Sequence, residues 1–284
     1  MSKESLEAYA RANGLTPMGV RAPLLPYLRE AWLRRDFAWT FAVLNKEAEN
    51  SRTRLGAWWG LLVPLLQSLI YGLIFGVILG SSRAPNFIPF LVVGVFLFNF
   101  ISGTLQSGAS AITGNAGLLK SISFPRITLP LSAAMRQLLN LLPTLLIMFG
   151  VVVIFDRAIK WELLYLPAVL ALMFAFGFGI ALIAARLTVQ IRDLTKLLPF
   201  LSRILFYVSG VFYTPAHLGL DGSWFGILVS INPVYAFLSR ARGALVTGYE
   251  IHAADWITAS VWTVAVVLFG IVFFWRAEER YGDD

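Results

Sequence analysis

The sequence contains no cysteine. That excludes a disulfide framework, a thiolate nucleophile and a Cys-ligated zinc. Histidine is nearly as scarce: His217 and His252 are the only two, neither has a second ligand at metal spacing, and no HExxH occurs. Charge is thin, at 14% against the roughly 25% of an ordinary soluble domain. No carboxylate falls inside the long apolar runs, which removes a buried acid–base pair and a membrane proton relay. Asp156 and Glu162 bracket a short loop and read as solvated loop charges. The nearest approach to a phosphate-binding loop, Gly243-Ala-Leu-Val-Thr-Gly248, is followed by Tyr249 where lysine is required. No ATP-hydrolysing motif is present.

What is abundant is apolar sequence, at 58% of 284 residues. A helix needs about 20 apolar residues to cross a bilayer. Six stretches qualify: 57–80, 87–106, 129–155, 163–185, 197–213 and 256–275. They predict an all-α, six-span membrane protein. Residues 1–23 are polar, with no apolar core and cleavage site of a signal peptide, and read as a cytoplasmic tail. Residues 24–56 predict an amphipathic helix and a connector. Arg29, Glu30, Arg34, Arg35 and Asp36 would together cost on the order of 12–17 kcal/mol at the bilayer centre. The helix is therefore expected in the interface, with arginine stems under the headgroups. Phe37 and Phe41 point away from its apolar stripe.

The stretch 214–255 is apolar over 224–245 but is broken by Asn232-Pro233. Proline removes a donor and pushes the residue before it out of the α region. Two short helices that dip in and return are expected in place of a seventh span, provided protein covers the break. Charge sets the orientation. With six spans, seventeen basic residues lie on the side of the termini. Five lie opposite: Arg83, Arg157, Lys160, Arg240 and Arg242. Positive charge stays inside, so both termini are expected in the cytoplasm, with Ser51–Arg54 as anchor and Trp58 and Trp59 at headgroup level. The net charge of +7 follows from this placement. No basic stripe suits nucleic acid.

Several residues are candidates for function. Gly72, Gly76 and Gly80 line one face of the first span and suit close approach of another helix. Tyr71 and Phe75 share a face of the same span, and Phe206, Tyr207, Phe212 and Tyr213 crowd the fifth. Such rings suit sugar faces, yet lipid or core would use them equally. Arg136 is the one charge well inside a span; it either snorkels to headgroups or faces a wet cavity and meets a phosphate. The loop 112–126 predicts a two-turn helix over 116–122 closed by Pro125. Its apolar Leu118, Leu119, Ile122 and Phe124 fit either a partner protein or the chain's own interfacial helix.

Four stretches, in order, resemble the membrane subunit of type-2 ATP-binding-cassette exporters, in the polysaccharide, teichoic-acid and O-antigen branch. They are Arg54-Leu-Gly-Ala-Trp-Trp-Gly-Leu-Leu-Val-Pro-Leu-Leu continuing to Tyr71 and Phe75-Gly76; Asn115-Ala-Gly-Leu-Leu-Lys120 through Phe124-Pro125-Arg126 to Leu129-Pro-Leu; Arg192-Asp-Leu leading to Ser209-Gly-Val-Phe-Tyr213; and Ile231-Asn-Pro233 with Arg240 and Arg242. Residues 45–50, Asn-Lys-Glu-Ala-Glu-Asn, are more acidic than the basic run the family carries there.

The resemblance implies a homodimer in the cytoplasmic membrane, each copy docked on a separate ATPase subunit that binds ATP and magnesium. No cofactor is expected in this chain. It implies that Asn115, Leu118, Leu119, Lys120, Phe124, Pro125 and Arg126 couple to that subunit. Tyr71, Phe75, Tyr207, Tyr213 and Arg136 become substrate-path candidates, and Arg29, Arg34 and Arg35 lie where a lipid pyrophosphate would enter. The hairpin 214–255, with Asn232, Pro233, Arg240 and Arg242, becomes an outer gate. The expected cargo is a lipid-linked polysaccharide, and arginine bias leans toward an actinobacterial galactan. Rival readings are an exporter of a small lipid or drug, a membrane-embedded glycosyl- or acyltransferase, and a structural anchor.

Overall fold

The computed structural model describes residues 22–78, 86–122, 124–156, 161–220, 222–249 and 252–278. Gly80, Arg83, Arg157, Lys160 and most of the tail 1–23 lie outside them. The described residues form helices and connecting turns, with no strand among them. Eleven α-helices follow in order. They are α1 (Leu24–Leu33), α2 (Arg35–Ser51), α3 (Trp59–Ile78), α4 (Phe87–Ala109), α5 (Ala116–Ser121), α6 (Thr128–Asp156), α7 (Leu166–Gln190), α8 (Leu194–Val208), α9 (Trp224–Ile231), α10 (Pro233–Leu245) and α11 (Ala253–Trp275).

Five of these, α3, α4, α6, α7 and α11 with their flanking turns, are long and apolar enough to cross a membrane. The stretch 197–213, expected as a fifth span, is a 15-residue helix that starts at Leu194 and stops at Val208. At 1.5 Å per residue it reaches about 22 Å, short of a ~30 Å hydrocarbon core. It ends because Gly210 takes a left-handed φ of +61°. That turn tucks Val211, Phe212 and Tyr213 into the core. A Cβ at Gly210 would sit 2.9 Å from the Tyr235 ring, so the turn suits glycine alone.

The interfacial segment also differs from the single helix expected. It breaks at Arg34 into α1 and α2. The break explains the imperfect stripe: Phe37 and Phe41 stack at 5.8 Å, and Phe37 reaches Phe124 of the loop at 5.0 Å. Fully buried Ala38 and Ala42, one turn apart, let α2 lie close on α6. Gly56, at φ +47°, then turns the chain into α3; a Cβ there would meet the Asn50 carbonyl at 3.0 Å.

The core is built around α4, which packs on α3, α6, α7, α8 and α10, while α7 packs on α11. In α4 72% of the apolar window is buried, in α3 only 11%, so α3 is the loosest of the long helices. Small residues permit the tight crossings. A Cβ on Gly270 of α11 would lie 2.7 Å from the Gly179 carbonyl of α7, and one on Gly108 would lie 2.5 Å from Ala181. The stripe on α3 is different. A Cβ at Gly72 or Gly76 would meet only the Leu91 or Phe87 side chain, at 3.6 and 4.0 Å. The close approach expected at Gly72 and Gly76 is therefore not made among the described residues of this chain.

Candidate functional site

Three groups of residues gather in the bundle. At the level of the loop, Asn115 anchors the turn before α5 by donating its side-chain amide to the Ala111 carbonyl at 2.8 Å. Leu118 and Leu119 are half-buried and join a cluster with Tyr27, Ala31 and Phe274. Phe124 contacts Phe37. Of the loop's apolar residues, Ile122 is left more than half exposed, at 52%, and Lys120 is exposed beside it. Pro125 is buried, and its carbonyl accepts the Thr128 hydroxyl at 2.8 Å. So the loop's apolar set is divided: part packs on the chain's own interfacial helix, part faces outward.

Arg126 closes the loop through a contact that sequence reading missed. The Arg126 backbone N–H donates to a Glu278 carboxylate oxygen at 3.0 Å, and its guanidinium donates to the Glu278 carbonyl. The Tyr27 hydroxyl donates to the other carboxylate oxygen at 2.7 Å and accepts from the Ile127 N–H at 3.1 Å. The indole of Trp275 donates to the Ala22 carbonyl. The start of α1, the end of the loop and the end of α11 are thereby tied at one point. Burial raises the Glu278 carboxyl above the usual range, while the Tyr27 and Arg126 hydrogen bonds oppose the shift. Local sequence held no signal for this knot, because its partners lie up to 251 positions apart.

Between α3 and the end of α8, beside the hairpin, all four aromatic candidates meet. Tyr71 lies 5.1 Å from Phe206, and Phe75 stacks on Phe212 at 3.9 Å. Tyr207 packs edge-on against Phe212, and the Tyr213 hydroxyl donates to the Tyr207 carbonyl at 3.0 Å. The cluster joins α3, α8 and the turn after α8. Arg136 is elsewhere: it pairs with Glu49 of α2 at 3.2 Å. That acid belongs to the unusual run 45–50, which was the sequence signal for the pair. Arg29, Arg34 and Arg35 are exposed on the interfacial segment. Arg34 pairs with Glu30 at 3.0 Å, and the Arg35 guanidinium lies 5.1 Å from the Trp32 ring.

In the hairpin, Asn232 links two halves. Its carbonyl oxygen accepts the Val234 N–H at 2.9 Å, capping α10, and its amide donates to the Ser209 hydroxyl at 3.0 Å. Pro233 takes the first helical position, where no N–H is needed. Arg240 is buried, donates to the His252 carbonyl at 3.0 Å and lies 4.5 Å from the Trp256 ring. Arg242 is 1% exposed. Its guanidinium donates to the carbonyls of Phe90 (3.2 Å), Gly210 (2.8 Å) and Val211 (2.5 Å) and rests on the Phe90 ring. A Cβ at Gly94 would clash with it. Both arginines therefore face inward. Arg242 fastens α10 to α4 and to the turn after α8. On the same end, Asp156 accepts the Thr247 N–H at 2.6 Å and the Asn86 amide at 2.6 Å.

The ABC-2 type transporter family matches residues 40–246, most of the chain. The chain is 26% identical over 258 residues to the O-antigen export system permease protein RfbA of Myxococcus xanthus, covering 91% of this chain and 96% of that one. Two proteins of the same name from Klebsiella pneumoniae are 24% and 25% identical over 206 residues, 71% of this chain and 76% of theirs. An all-helical bundle with five membrane-length helices, matched by the family over residues that take in the loop, the aromatic cluster and most of the hairpin, belongs to the ABC-2 type transporter membrane family.

Proposed function

We propose that this chain is the permease subunit of an ATP-driven exporter that moves a lipid-linked polysaccharide across the cytoplasmic membrane. The observation that carries the reading is similarity over nearly the whole length to a permease named for O-antigen export. The galactan preference rests on arginine bias and on the character of the N-terminal segment. Two copies would form the working unit, each with a nucleotide-binding subunit supplying ATP and magnesium. The apolar outer face of α3, with exposed Leu66, Leu69, Ile70, Leu73 and Val77, is available for lipid or for the second copy.

In this reading the chain crosses six times, with both termini in the cytoplasm. The short α8 crosses together with the 209–213 turn, and α9 and α10 dip in from the outer side as the gate. The buried Arg242 staple supports a covered hairpin, since irregular backbone at membrane depth needs protein around it. The ATPase docks on α5 and the exposed Ile122 and Lys120. Its movement passes through Arg126 to Glu278 and Tyr27, and so to α1 and α11. Sugar rings pass the Tyr71, Phe75, Tyr207 and Tyr213 cluster, and the lipid pyrophosphate stays near Arg29, Arg34 and Arg35. Depleting the protein tests this: lipid-linked glycan should build up on the cytoplasmic leaflet, and an unchanged glycan distribution would refute the assignment.

A further inference from the structure

A cavity of about 800 Å³ lies between α2, α3, α4 and α6, separate from the aromatic cluster. It falls within the ~300–1,000 Å³ of small-molecule sites. Six side-chain amides from four helices line it: Asn50 of α2, Gln67 of α3, Asn99 and Gln106 of α4, and Gln137 and Asn140 of α6. Amides inside apolar spans are costly unless bonded. Here Asn99 donates to Gln67 at 2.9 Å and Gln137 to the Ser107 hydroxyl at 2.7 Å. Each amide carries two donors and an acceptor with two lone pairs, so capacity is left over on all of them. That is the chemistry that reads pairs of hydroxyls.

Lys46 is the one cation among the described lining residues, and it is tethered to the wall. The Lys46 ammonium donates to the Leu139 carbonyl at 2.6 Å, and burial lowers its pKa from the ordinary value. Glu49, at the rim, is already paired with Arg136. Trp58 and Trp59 stand at the mouth, 65% and 45% exposed, and offer ring faces to apolar sugar faces. Space is built in. A Cβ at Gly60 would meet nothing within 4 Å, whereas one at Gly103 would press on Gln137 at 2.7 Å. Gly60, Pro64, Gln67, Tyr71 and Phe75 follow at steps of three or four residues, so one stripe of α3 runs from the cavity to the aromatic cluster.

We infer that this cavity binds the uncharged, hydroxyl-bearing part of a glycolipid, drawn sideways from the inner leaflet. The inference rests on the exporter reading only for the identity of the glycolipid as cargo. The full-length chain in lipid nanodiscs is labelled with a dodecyl maltoside carrying a diazirine on the sugar. Labelled peptides should fall within 56–67, 99–106 and 137–144. Unlabelled dodecyl maltoside should compete at least ~10-fold better than dodecyl phosphate, which has the same chain and an anionic head. Gly60→Trp, which fills open space, should cut labelling ~10-fold with an unchanged thermal midpoint, and Asn140→Leu should cut it several-fold. Labelling elsewhere, indifference to Gly60→Trp, or equal competition by dodecyl phosphate would overturn the site. The exporter reading has its own readout. Unchanged glycan on depletion, with label in the cavity, sinks that reading and leaves the sugar site standing.

Discussion

Arg242 shows how a single side chain sets the position of a whole hairpin. Three carbonyls from α4 and the turn after α8 converge on one guanidinium, with the Phe90 face beneath it. Truncation leaves three buried acceptors unmet and a void where the fork lay. Arg242→Ala should cost on the order of 3–5 kcal/mol, read as a large fall in the detergent-solubilised melting temperature. Arg242→Lys should rescue little, because an ammonium cannot reproduce the planar fork. At the other end, Glu278 gives a pH signature. Its folded pKa is raised above the ordinary 4.5 by burial, so the folded state binds more protons than the unfolded one in the window above 4.5. Burial of the charged carboxylate therefore costs stability as pH rises through the folded pKa, and that stability is regained below it. Lowering pH from 7 toward 5 should stabilise the wild type relative to Glu278→Gln in melting experiments. A difference that does not change with pH would contradict this.

Among the elements, the loop and the α7–α11 crossing give the cleanest tests. Leu119 is half-buried in the chain's own cluster, so Leu119→Asp disturbs the loop itself as well as any partner. Ile122 is exposed; Ile122→Asp should leave the melting temperature unchanged yet lower co-purification of the ATPase subunit about tenfold, roughly 1.4 kcal/mol. Gly270→Leu should cost at least ~1–3 kcal/mol, because α7 and α11 must separate to admit the side chain. The apolar runs fixed most helix positions to within a few residues, since lipid or core on every side demands unbroken apolar sequence. They failed at α8. Val211, Phe212 and Tyr213 are as apolar as helix residues, and only the Gly210 turn takes them out of the helix. Residue type also brought Tyr71, Phe75, Tyr207 and Tyr213 under suspicion, while their meeting depends on α3 lying beside α8. The Glu278 knot and the amides of the cavity stayed hidden, because each needs helices far apart in the chain to be placed together.

For the whole molecule, sidedness is the property most open to direct measurement. Single cysteines can be introduced without interference, as the chain has none of its own. One near residue 280 and one near residue 3 should both resist an impermeant thiol reagent added outside. One at the exposed Leu218, within the hairpin stretch 214–255, should react. A C-terminal site open to the outside would require an odd number of crossings. The bundle's uneven packing also has a mechanical meaning. α4, α6, α7 and α11 are knit by buried side chains and glycine crossings, whereas α3 leans on them with little of its surface covered. It hangs like a door leaf on a stiff jamb, held near its middle by the Asn99–Gln67 latch. In the proposed exporter, a push from below would swing the leaf before it bends the frame, and a broad cargo would slip past its free edge while the rest of the wall stays shut.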